Sequence, residues 1–198
     1  MTGPPEVPPG DPVLTGLPSL GSLDVVPALT RPDLLAGPVL DALAGFPAAG
    51  RVGVAAIDAG LADTAAFCAA YQVPAEASAN CVVVAGRRDG VERVAACVVL
   101  ATTRADVNGL ARRALDVRKC SFLPMDRAVE LTGMEYGGIT PVGLPQGWLL
   151  LVDDAAARVD AAVVGSGVRR SKLVLPGAAL ATLPAARVVE GLGLPLPA

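Results

Sequence analysis

An α/β fold, with a mixed, partly antiparallel sheet covered by helices, is the architecture predicted by the sequence, and three observations predict it. Hydrophobic residues make up 53% of the 198-residue chain, enough for one core to outweigh the entropy of ordering it. Strand-like and helix-like runs alternate along most of the length, which favours helices packed on a sheet. Two β-branched runs flank a short glycine-bounded turn, so at least one pair of neighbouring strands is antiparallel.

Taken in order, residues 1–22 mix Pro, Gly and short polar side chains without periodicity and are expected to form a flexible tail before a single domain over 23–198. Pro38 is a good first helical residue, and Val39, Leu40, Leu43 and Phe46 follow at helical spacing. Residues 51–58 (RVGVAAID) predict a strand, and Leu61, Ala65, Cys68 and Ala69 mark one face of a helix ending near Tyr71. Residues 81–85 and 94–101 predict two strands joined through a turn at residues 86–90 (GRRDG). Asp106 is placed to cap a helix whose apolar face holds Val107, Leu110, Ala111, Ala114 and Leu115. A strand near residues 120–123 and a helix over 126–131 come next, followed by a loop rich in Gly and Pro. Residues 148–152 predict an apolar strand ending at Asp153-Asp154. A short helix follows, then residues 161–164, the loop Gly165-Ser166-Gly167, residues 171–175, and a last helix and strand ending near Glu190.

Composition narrows the chemistry. The chain contains no histidine, which removes the commonest general base, every Ser-His or Cys-His nucleophile pair and the commonest metal ligand. Cys68, Cys81, Cys97 and Cys120 form no CxxC pair, so neither a zinc ribbon nor a dithiol centre is expected, and reduced core thiols are. Sixteen Lys and Arg against nineteen Asp and Glu provide no global attraction to polyanions. The pairs Arg87-Arg88, Arg112-Arg113 and Arg118-Lys119 suit an RNA backbone, but such pairs more often serve solubility. No uninterrupted apolar stretch of about 20 residues and no basic region leading into one occurs, so a cytoplasmic protein without a membrane partner is expected.

The loop at residues 134–145 (MEYGGITPVGLP) holds the most informative pattern. Gly137 and Gly138 permit backbone angles and close approach closed to other residues, Pro141 stiffens the exit, and main-chain N–H groups of residues 137–140 can then face a ligand carbonyl. An ordinary glycine-rich turn has the same composition. In the same way, Gly165-Ser166-Gly167 with Arg169 and Arg170 suits either a phosphate cradle or a plain hairpin turn.

Thr132-Gly133 followed by Gly137-Gly138-Ile139-Thr140-Pro141-Val142-Gly143 resembles the signature of the YbaK/prolyl-tRNA-synthetase-associated editing domain family, including its GxxxP element from Gly137 to Pro141. The resemblance runs over about residues 79–180. It implies a compact editing domain that hydrolyses the ester of a mischarged aminoacyl-tRNA, free-standing members acting in trans. It also implies substrate-assisted cleavage, in which the terminal ribose hydroxyl helps to position water. No protein nucleophile, metal or cofactor is then needed.

Carried over residue by residue, the resemblance assigns oxyanion-binding roles to Gly137, Gly138, Ile139 and Thr140. Substrate contacts fall to Pro141, Gly143, Asp153, Ser166, Gly167 and Arg169. Asp153 matches an acidic residue at the end of the strand after the glycine loop, although a solvated strand-end Asp has the same sequence position. The family normally carries a lysine at the start of the strand after its first helix; here Ala79-Asn80-Cys81-Val82 stands there, and Asn80 exchanges a cation for a neutral amide. Neither Lys119 nor Lys172 is at that position, although a fold can bring Lys172 near the pocket, a rescue given little weight. The expected function is trans-editing of a tRNA carrying a small or medium amino acid, the partner being its acceptor end. The alternative is a catalytically silent module holding an aminoacyl group, nucleotide or protein.

Overall fold

The computed structural model of the chain describes residues 17, 18 and 20–196. Residues 1–16 and Ser19 of the expected tail lie outside the described residues. In chain order the elements are β1 (Val26–Pro27), α1 (Gly37–Ala44), β2 (Gly53–Ala56), α2 (Thr64–Tyr71), β3 (Ala79–Arg88), β4 (Val91–Leu100), β5 (Thr103–Ala105), a π-helical turn at Val107–Ala111 running into α3 (Arg112–Ala114), β6 (Cys120–Phe122), α4 (Met125–Thr132), β7 (Leu149–Asp153), α5 (Asp154–Arg158), β8 (Ala162–Gly165), β9 (Ser171–Leu175), α6 (Gly177–Leu180), β10 (Ala186–Val189) and β11 (Gly193–Pro195).

The strands divide between two main sheets and a small ribbon. One sheet has the order β1-β2-β9-β8 and is antiparallel throughout; the other, β10-β7-β4-β3-β6, is mixed; β11 and β5 form the ribbon. Both sheets contribute to the main core, Val54, Leu173 and Val164 from the first meeting Ala96, Val98 and Leu150 from the second, with Val39 and Leu43 of α1. A lone parallel bridge from Ser78 to Val163 ties the start of β3 to β8. That seam positions the site.

The expected mixed α/β class is observed, with local corrections. The β3–β4 ladder continues through Gly86, Arg87 and Arg88, and the reversal takes two residues, Asp89 and Gly90, rather than five. Both have positive φ (52° and 80°), the conformation a tight hairpin between right-twisted strands requires. The helix expected from Leu61 begins at Thr64, because Ala59–Leu61 forms a separate 3-10 turn capped by the Asp58 carboxylate. Asp106 caps as expected, accepting from the Gly109 and Leu110 N–H groups, but the first turn it caps is π-helical. Residues 162–165 form a strand pairing antiparallel with β9.

Candidate functional site

A cavity of about 390 Å³ opens at the seam between the sheets. Its walls are Ala62, Asp63 and Thr64 at the entrance to α2, residues 78–82 at the start of β3, Tyr136, Gly137 and Ile139 of the glycine loop, residues 163–165 of β8, and Lys172 of β9. Five segments far apart in sequence therefore meet: the entrance to a helix, the first residues of a long hairpin, the glycine loop, and the two neighbouring strands β8 and β9.

Asn80 is half-buried on the cavity wall, its Oδ1 accepting a 2.7 Å hydrogen bond from Thr64 Oγ1. Lys172 is the one cation among the lining residues. It is 9% exposed, its Nζ donates to the Ala62 carbonyl at 2.9 Å and lies 5.3 Å from the Phe67 ring centroid. Burial holds the ammonium below the usual lysine range, and the nearby Arg169 guanidinium adds to the effect. An ammonium has three donors, so its single described hydrogen bond leaves capacity for a ligand oxygen. Cys81 also lines the cavity, but burial pushes its thiol up, which keeps it protonated and poorly nucleophilic.

The glycine loop is fastened to the loop after β8 rather than left open. The Glu135 N–H donates to Gly167 O, Gly167 N–H to Gly138 O, and Gly138 N–H back to Glu135 O, at 2.8–2.9 Å. The Gly138 amide is thus already used. A side chain there would meet the Val168 backbone at 2.7 Å, so the missing Cβ serves loop-to-loop packing. Gly137, at φ 76°, leaves room for the Arg169 guanidinium.

Arg169 closes this rim. Its guanidinium donates to the carbonyls of Tyr136 (3.2 Å) and Ala59 (3.3 Å) and lies 5.7 Å from the Tyr136 ring centroid and 3.9 Å from Asp63, while the Arg169 backbone N–H donates to Glu135 Oε2.

Of the residues singled out by sequence, Asn80, Gly137 and Ile139 share the cavity wall, and Arg169 braces it. The others stand elsewhere. Pro141 and Gly143 line a separate cavity of about 420 Å³ with Phe46, Trp148 and Leu150. Thr140 is fully buried and its hydroxyl has no partner among the described residues. Asp153 is 2% exposed and accepts from the Gly193 N–H at 3.1 Å, so it is neither a solvated strand end nor a cavity residue; it anchors the start of β11. Ser166 is fully buried, bonded to Ser171 Oγ at 2.7 Å, and Gly167 packs against Ala36.

The residues not foreseen are Asp63, Thr64 and Tyr136, while Lys172, weighed only as a residue the fold could bring near, is in the wall. A lysine inside the otherwise apolar strand SKLVL was the available signal, since an unmatched cation in such a run is seldom buried without a role. Among the described residues no group of three or more His, Cys, Asp or Glu could hold a metal ion, and no helix is long and apolar enough to cross a membrane.

Fold and cavity define a two-sheet α/β pocket domain whose cavity is lined by backbone groups, the Asn80 amide and the Lys172 ammonium among others, with no imidazole in the chain. Residues 58–183, more than half of the chain, match the family of aminoacyl-tRNA editing domains, and the chain belongs to that family. The fold is similar to three solved structures. One is a candidate trans-editing enzyme for prolyl tRNA synthetase (21% identity, TM-score 0.66, covering 78% of this chain and 94% of that one). Another comes from work on epitope backbone grafting onto scaffold proteins (22%, 0.65, 81% and 97%), and the third is the hypothetical protein APE2540 (22%, 0.62, 71% and 90%). No curated protein matches the chain.

Proposed function

We propose that this editing-family domain is a trans-acting deacylase that hydrolyses the ester joining a small or medium amino acid to the 3′ end of a mischarged tRNA. The observation that carries the reading is Lys172, a buried ammonium on the wall of a cavity that Asn80 shares. It brings back, from another strand, the positive charge missing at Asn80.

An aminoacyl ester is already activated, so alignment of water and stabilisation of the developing oxyanion suffice. Water adds to the carbonyl carbon, the C–O bond to the ribose breaks, and the ribose oxygen takes up a proton, releasing free amino acid and tRNA. Lys172 Nζ stabilises the oxyanion, a role the Gly138 amide, already bonded to Glu135, is not free to take. Asn80 orients the acyl group. Ala79, Ile139, Val163 and Val164 form the apolar wall for the amino-acid side chain, and about 390 Å³ suits a small or medium one.

The competing reading, a silent binding module, is motivated by the amide at position 80. Deacylation of a panel of mischarged tRNAs separates the two, with wild type compared against Asn80→Lys. Turnover by wild type above spontaneous hydrolysis supports the enzyme. Background rates in wild type with activity appearing only in Asn80→Lys support the silent module.

A further inference from the structure

Charge is segregated along this chain. Residues 86–119 hold eight of the sixteen Lys and Arg but only four of the nineteen Asp and Glu, although the whole chain is net negative. All four acids are engaged: Asp116 accepts from Arg88 and Arg93, Glu92 from Arg127, Asp106 from two backbone amides, and Asp89 pairs with Arg88 at 3.7 Å. Arg104, Arg112, Arg118 and Lys119 take part in no ion pair among the described residues.

An aromatic ring stands beside these cations. Phe122, one of only six aromatic residues, is 62% exposed on the edge strand β6. It lines a shallow cavity with Arg104 and Asn108, and Arg112 Nε donates to the Asn108 carbonyl at 2.8 Å. Phe122 pairs with Val84, and Val82, two residues earlier on β3, lines the candidate active cavity. Val82 and the strand partner of Phe122 are therefore about 7 Å apart along β3. An exposed ring beside guanidinium groups that take part in no described ion pair, with an amide, is the chemistry that grips single-stranded nucleic acid, the base stacking on the ring and the cations meeting phosphates.

We propose that Phe122, Arg104 and Asn108 form a platform for the single-stranded 3′ end of a tRNA, a base stacking on Phe122 while Arg104 and Arg112 meet the flanking phosphates. The inference rests on the reading of the neighbouring cavity as the acyl-ester site, and it assigns the path by which the RNA reaches that cavity. The surrounding positive surface draws the RNA in despite the net negative chain.

The test uses uncharged tRNA, whose binding does not depend on catalysis. Phe122→Ala is expected to weaken binding about tenfold and Phe122→Trp to restore it. Arg104→Gln is expected to reduce the slope of log affinity against log salt by about 0.7, the loss of one single-strand phosphate contact. With mischarged tRNA, Phe122→Ala raises KM and leaves kcat, while hydrolysis of an aminoacyl ester of adenosine alone is unchanged. Wild-type affinity and salt slope in both Phe122→Ala and Arg104→Gln overturn the platform, whether or not the enzyme is active. Binding that shows these sensitivities without any ester hydrolysis upholds the platform and removes the deacylase reading instead.

Discussion

Lys172 and Ala62, 110 residues apart in the chain, are joined by a 2.9 Å hydrogen bond from the ammonium to the backbone carbonyl. The bond holds the one cation of the cavity wall at the entrance to α2, in the cavity that Asn80 also lines. Most of what is expected of this protein follows from how that buried charge is used.

The first expectation concerns pH. Burial lowers the proton affinity of Lys172 in the folded chain relative to the unfolded one. Between the depressed folded value and the ordinary lysine value, the unfolded chain binds more protons, so raising pH through that window adds stability. Activity moves the other way, because the neutral amine no longer stabilises an oxyanion. Hydrolysis above the spontaneous rate should fall at a pH below that of an ordinary lysine, and Lys172→Met should abolish the stability slope over the same window.

Asn80 is tied to Thr64 through a 2.7 Å bond, which fixes how the amide meets the cavity. Thr64→Val removes the bond without changing side-chain size much. It should lower kcat/KM about tenfold, an effect of roughly 1.4 kcal/mol, with little change in melting temperature. An unaltered kcat/KM would show that Asn80 needs no fixed orientation.

Thr140 carries a buried hydroxyl without a described partner. Thr140→Val removes that polar atom at nearly constant shape, so stability should rise by about 1 kcal/mol and deacylation should stay as in wild type. Thermal unfolding and the activity assay read the two halves separately.

Asp153 and Gly138 should act on folding. Asp153→Ala leaves the Gly193 amide without its acceptor and should cost about 2 kcal/mol, a fall of about 4–8 °C for a chain of this size, with KM unchanged. In Gly138→Ala the added methyl meets the Val168 backbone, and a comparable loss of stability is expected. A large KM effect in either variant at wild-type stability would contradict these placements.

The sequence made the mixed α/β class legible because strand and helix periods are local. The Asp106 cap and the antiparallel β3–β4 pair were legible for the same reason. The division into two sheets was not, since it depends on pairings such as Ala55 with Lys172 that nothing local encodes. At the site, Gly137 and Ile139 could be singled out because the signature covers them, and Asn80 because it stands where the resembled family carries a lysine. Asp153, Ser166 and Pro141 belong to the same stretches, yet folding turns them toward other partners. Lys172 could be named as a residue within reach of the pocket but not placed there: its strand gives no sign of which cavity it faces until β9 is laid beside β2.

The most direct test of the account is single-turnover deacylation of the best mischarged tRNA by wild type, Lys172→Met and Lys172→Arg, each checked for an unchanged fold. Loss of at least about 100-fold in Lys172→Met, with partial activity in Lys172→Arg, is the predicted result. A Lys172→Met protein that deacylates at the wild-type rate would contradict it.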